Sequence, residues 1–181
     1  FMKEGDTIKV RFGVTDHGGA GMRLQTFCEK RFEFRVLVDP IATYNFQTLP
    51  KQPNISIVPG PPEKWIAVIP STITCGETFS LKIKAEDMWG NPTNQAVKKI
   101  IPKTNQPIKN LPEFINIKEG DFATVVSGLM VNSAGALEIK LHSSDGSLVA
   151  TCNPSKVFNS SILKNYWGDL HGQSEETLGT N

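Results

Sequence analysis

The residues richest in chemistry lie at the end of the chain, in YWGDLHGQSEETLGTN (166–181), where Asp169, His171, Gln173, Glu175 and Glu176 fall within eight positions. An imidazole nitrogen is a ready ligand for a divalent transition metal. A nearby carboxylate can coordinate the same ion or orient the imidazole from behind. A metal so held lowers the pKa of a bound water and polarises a phosphoryl or carbonyl oxygen, so the chemistry on offer is hydrolysis. The same residue types are also ordinary loop material. Asp and His beside Gly are common in loops, and Glu175 and Glu176 equally suit the capping or solvation of a following helix. His17, in TDHGG, reads as a solvated loop residue, and His142 as a polar residue ending the strand pattern ALEIKLHS.

Structured elements must position any such site, and upstream of it the chain reads as strands. TIKVRF (7–12) and RFEFRVLVD (31–39) alternate apolar and polar residues at period two, as a strand with one buried face does. Between them GVTDHGGAGMRLQ is glycine-rich and predicts a long connection. DPIATYNFQTLPKQPNISIVPGPPEKW carries six of the twelve prolines, and proline confines a strand to edges and turns. Residues 50–64 therefore read as a linker with one short strand, NISIV.

From Trp65 onward six strand-length runs follow: WIAVIP, TFSLKIKAED, FINI, FATVVSGLMV, ALEIKLHS and SLVATC. Turn clusters STITCGE, MWGNPTN, KEGD, NSAG and SSDG separate them, and this spacing predicts a β-sandwich. A weak helical period in NQAVKKII is ended by Pro102 and Pro107. In TFSLKIKAED, Phe79, Leu81, Ile83 and Ala85 should share the inner face, with Lys82 and Lys84 outside. In AEDMWGNP, Asp87 should accept from the amides that follow it while Gly90 takes a positive φ and Pro92 delays the next ladder. Trp89 should cover an end of the sandwich. NSAG and SSDG place Gly where hairpin turns need it.

Composition narrows the classes. The chain has 181 residues, 39% hydrophobic and 20% charged, enough for one or two domains with a real core. With 19 basic against 18 acidic residues it lacks the basic excess that nucleic acid would require. No run approaches the ~18 apolar residues of a membrane span. Cys28, Cys75 and Cys152 have no metal-type spacing and read as three buried thiols, with a Cys75–Cys152 bridge as the alternative. The opening on Phe1 suggests an excised piece, which leaves the compartment open.

Two resemblances add to this reading. VIPSTITCGETFSLKIKAEDMWGNPT resembles the opening strands of bacterial immunoglobulin-like domains, with their Pro-Ser start, Gly-Glu turn and Asp-x-x-Gly-Asn turn. YWGDLHGQS resembles the first motif of the PHP (polymerase and histidinol phosphatase) phosphoesterases, and more closely an uncharacterised bacterial branch of them. GGAGMRLQTF, FEFRVLVDP and VPGPPEKW are similar to the β-rich N-terminal region of that branch. The resemblance implies Asp169 and His171 as metal ligands, for zinc or manganese, in a full-length protein. The family has a second His where this chain has Gln173, a poorer ligand for zinc, so the complete multinuclear site is in doubt.

The resulting expectation is all-β: an immunoglobulin-like antiparallel β-sandwich preceded by a further β-rich segment. Residues 1–62 form that segment with its proline-rich linker, 63–158 the sandwich, and 159–181 the start of a PHP-like catalytic domain, since a barrel needs on the order of 200 residues. The isolated chain then carries no catalytic residues and no cofactor, and its partner is the downstream catalytic domain of the same polypeptide. It serves as a structural appendage of a metal-dependent hydrolase. The alternative is a module binding carbohydrate or protein, which would need exposed aromatics; Trp65, Trp89, Tyr44, Tyr166 and Trp167 are scattered, which favours the appendage.

Overall fold

A computed structural model describes residues 3, 5–39, 41–160 and 168. Among the described residues all regular structure is β. The strands are β1 (Glu29–Glu33), β2 (Leu37–Val38), β3 (Gln47–Thr48), β4 (Asn54–Ile57), β5 (Lys64–Val68), β6 (Thr72–Thr74), β7 (Thr78–Glu86) and β8 (Pro92–Thr93). They continue as β9 (Lys98–Thr104), β10 (Ile115–Ile117), β11 (Thr124–Met130), β12 (Gly135–Leu137), β13 (Ile139–Ser143), β14 (Leu148–Thr151) and β15 (Ser155–Phe158). Together they make an all-β fold of several small sheets, antiparallel except for the pairing of β6 with β15. By compactness the chain divides into one unit of Phe1–Trp65, Lys84–Val97 and Lys118–Ala123 and another of Ile66–Ile83, Lys98–Ile117 and Thr124–Asn181.

In the first unit the ladders are short. β1 pairs antiparallel with β4, Phe32 opposite Ile55, with a bulge between Glu29 and Phe32. β2 pairs with β3, Leu37 opposite Thr48. The single strand expected over RFEFRVLVD is broken after Glu33 because its backbone changes partners there. Phe34 N–H donates to Pro53 O (2.8 Å), and the Gln52 side chain serves Val36 as a peptide would, accepting from Val36 N–H (2.7 Å) and donating to Val36 O (3.1 Å). The strand expected over TIKVRF is absent: Ile8 and Val10 are 67% exposed and Phe12 58%. Alternation prepares a face, but a strand also needs a neighbour for its amides and carbonyls. Phe12 does find a ring, stacking on Phe34 at 4.6 Å.

The second unit holds the core. Phe79, Leu81 and Ile83 of β7 are buried there, as the period of two requires, while Lys82 stays outside; Ala85, on the same face, is buried too but falls in the first unit. Ile100, Leu129, Val131, Ile139 and Leu141 are fully enclosed as well. The sheets run β11-β7-β5, β10-β9-β13-β14 and β12-β15-β6. NQAVKKII is not helical, because Ile100 is needed in the core and β9 begins at Lys98. Pro102 lies inside β9 without breaking it. Asn105 N–H donates to Glu138 O, so the odd-numbered amides of β9 face β13, and the bare nitrogen of Pro102 turns to the side where β10 reaches only Ile100.

ALEIKLHS forms two strands in two sheets, β12 on β15 and β13 on β9. Asn105 marks the switch: its amide donates to Ala136 O (3.0 Å) and accepts from Glu138 N–H (2.9 Å). SSDG closes the β13–β14 hairpin with Gly146 at φ 85°, whereas NSAG joins β11 to β12 in different sheets and is no hairpin. Asp145 holds the hairpin turn through Ser147 N–H (2.9 Å) and the hydroxyls of Ser143 and Ser147, which keep its carboxyl well below the usual range. β6 and β15, both missed in the sequence, pair in parallel, Ile73 opposite Val157.

Candidate functional site

The most organised polar cluster among the described residues grows from the turn after β7. Asp87, 4% exposed, directs Oδ1 at the amides of Trp89 and Asn91, each at 2.9 Å, as AEDMWGNP implies. Gly90 takes φ 85°, a conformation a side chain would strain. Pro92 does not delay the ladder: it opens β8 and lies opposite Glu86, a strand-start position where its missing N–H does no harm. Asp87 Oδ2 accepts from Gly60 N–H (3.0 Å) and the Asn91 amide (2.9 Å). Burial works against the charge of Asp87, but the hydrogen bonds from Asn91, Gly60 and Trp89 outweigh it and bring its pKa down from 3.8 to about 2.

Asn91 extends the cluster. Its amide donates to Thr26 O (2.8 Å) and its oxygen accepts from Cys28 N–H (3.0 Å), which ties residues 26–28 to the turn. Thr93, 1% exposed, donates to Gly60 O (2.7 Å), and Gln95 donates to Pro59 O (2.7 Å). Two distant chain segments, residues 26–28 and 59–60, are thereby held to the turn and the strand that follows it.

A cavity of about 270 Å³ opens here, lined by Gln25, Thr26, Ile57, Val58, Gly60, Pro61, Glu63, Asp87, Met88, Trp89 and Asn91. Trp89 is 53% exposed and carries the Arg23 guanidinium 5.8 Å from its ring centroid. The Asp-x-x-Gly-Asn spacing announced the turn, but no local signal announced Thr26, Gly60 or Glu63. A larger, mostly apolar cavity of about 620 Å³ has Cys28, Ile57, Val58, Pro59, Pro92 and Phe122 in its wall.

All three cysteines are free, so Cys75 and Cys152 do not pair. Only Cys152 is buried, its pKa pushed up to about 12 by burial, while Cys28 is exposed and Cys75 half-buried, contrary to three buried thiols. His17 is exposed, and His142 is half-buried in β13 with its Nδ1 unpartnered. Asp169, His171 and Gln173, the metal-ligating candidates, lie outside the described residues, and so do Glu175 and Glu176. Among the described residues no group of three or more His, Cys, Asp or Glu is placed to hold a metal ion.

No family model matches the chain. It is similar to uncharacterized proteins of Chlamydia muridarum (27% identical over 183 residues), Chlamydia pneumoniae (25% over 182) and Chlamydia trachomatis serovar D (27% over 183). Each match covers 96% of this chain but 29% of the relative, so the chain spans under a third of the length of the curated relatives it matches. None of these names is that of a phosphoesterase. Among solved structures it is similar to the D00-D0 domain of Intimin, with a TM-score of 0.40 and 9% identity, covering 72% of this chain and 65% of that one.

Proposed function

We propose that this chain is a structural region of a larger protein and works by packing: the second unit is a self-sufficient scaffold, and the first presents an apolar surface to another folded part of the same polypeptide. One observation carries the reading. Among the described residues, the large apolar side chains that remain exposed in the second unit are Val68, Phe114, Val125 and Leu148; the others, from Ile8 to Phe122, lie in the first. Apolar exposure concentrated in this way marks a surface that something covers. The Asp87 and Asn91 cluster supports it, because it fixes loops that have few ladder bonds of their own. The greater length of the relatives supports the presence of a further folded part.

In this reading Asp169 and His171 belong to that further part and act there as ligands of zinc or manganese. The motif YWGDLHGQS supports that assignment. Hydrogen exchange tests the packing. Peptides covering residues 7–14 and 41–58 should exchange markedly more slowly in the longer polypeptide than in the 181-residue chain. Equal exchange in both would overturn the reading.

A further inference from the structure

We infer that the cavity beside Trp89 is a binding site for one arginine side chain of the further folded part of the polypeptide that the first unit packs against, its guanidinium lying on the exposed indole and facing Glu63 and Asp87. This deepens the packing reading by naming a chemical feature of what the first unit meets. The charge of the cavity is the first argument. Its lining contains two carboxylates and no Lys, Arg or His, and none of the ion pairs among the described residues involves Glu63 or Asp87. Among the described residues, the hydrogen-bond donors to Asp87 are neutral amides. Its negative charge is therefore stabilised but not neutralised, and it reaches into the space beside it.

The second argument is the shape of the ring site. Trp89 is 53% exposed, and Arg23, a guanidinium from the same unit, already stands 5.8 Å from its centroid. Arg23 shows that the electron-rich indole attracts a planar cation, and the exposed part of the ring is where a second guanidinium competes with it. Other ligands fit less well. The two Asp87 oxygens already accept bonds from Trp89, Asn91 and Gly60, close to the four acceptor sites a carboxylate has, so no oxygen is left for inner-sphere metal coordination. The Asn91 amide is likewise spent on Thr26, Cys28 and Asp87, which removes the donors a sugar would require. An anion would be repelled. At about 270 Å³ the cavity suits one side-chain head group rather than a drug-sized ligand.

Arg23 is then an internal competitor for the ring. The experiment is calorimetric titration of the chain with N-acetyl-arginine methylamide, and with its neutral isostere N-acetyl-citrulline methylamide as the control. The arginine compound should bind and the citrulline compound should not. Arg23→Ala should tighten binding, while Glu63→Gln and Trp89→Leu should each weaken it, by about two- to fivefold for a cation on a partly exposed ring. Glu63 is exposed, so its isosteric variant keeps the test valid if Trp89→Leu folds poorly. Equal binding of the citrulline compound, or no binding of the arginine compound to Arg23→Ala at tens of millimolar, would overturn the inference. Because the titration needs no partner domain, its failure leaves the packing surface standing, and unchanged hydrogen exchange leaves the cavity standing.

Discussion

Replacing Ile8, Val10 and Phe12 together by Ser separates what TIKVRF suggests from what the fold does with it. On a buried strand face each change would forfeit the whole transfer term and leave a cavity, ~2–5 kcal/mol apiece and ~6 kcal/mol or more in all. That is comparable with the ~5–15 kcal/mol total stability of a domain, so the variant would be close to unfolded. The structure implies less. With 67%, 67% and 58% of these side chains exposed, only a third to two-fifths of each is withdrawn from water. This lowers each transfer term to ~0.5–1 kcal/mol. Loss of the Phe12–Phe34 stack at 4.6 Å adds ~0.5–1.5 kcal/mol. The triple variant should therefore lose about 2–4 kcal/mol in urea unfolding followed by circular dichroism, with an unchanged denaturant slope. It should also bind less of an apolar dye such as ANS. A loss of ~6 kcal/mol or more would show that residues 7–12 are packed, and would refute the argument for an exposed apolar surface.

Leu81→Ala, at a side chain with 0% exposure in the middle of β7, should cost ~3–5 kcal/mol in the same assay. Because the pKa of Asp87 in the fold lies below its ordinary value, its contribution is complete above pH 3.8 and is lost as pH falls towards about 2. Asp87→Asn should accordingly flatten part of the fall in melting temperature over that window, and Asp145 and Asp39, also lowered by hydrogen bonds, should keep some acid sensitivity in the variant. In the longer polypeptide His171→Ala should remove bound zinc or manganese by elemental analysis; unchanged metal content would end the metal role assigned to the tail.

How much was legible depended on whether a feature is local. The inner face of β7 could be read because alternation over nine residues leaves one buried assignment, and Phe79, Leu81 and Ile83 occupy it. The Asp87 turn could be read because its bonds to Trp89 and Asn91 lie within four positions. β9 was obscured by Pro102, harmless only because of where a neighbouring strand stops. β6, within STITCGE, has strand character only through its pairing with β15, more than eighty residues later in the chain. Gln52 and Asn105 act through side chains that stand in for backbone, and neither residue type signals that use. The candidate site was half legible for the same reason: its turn is local, whereas Thr26 and Gly60 meet it only in the fold.

The parallel pairing of β6 with β15 bears on mechanical load. A pull on the start of β6 and the end of β15 drives the two strands past each other along their length. The pairs Thr72 with Lys156, Ile73 with Val157 and Thr74 with Phe158 then bear the force together, helped by Cys75 N–H to Phe158 O (2.8 Å) and Lys156 N–H to Ser71 O (3.0 Å). An antiparallel pair gripped at one end would instead open bond by bond. Rupture under tension is governed by the unfolding barrier rather than by equilibrium stability, so this short sheet acts as a shear clamp whose strength need not follow the melting temperature.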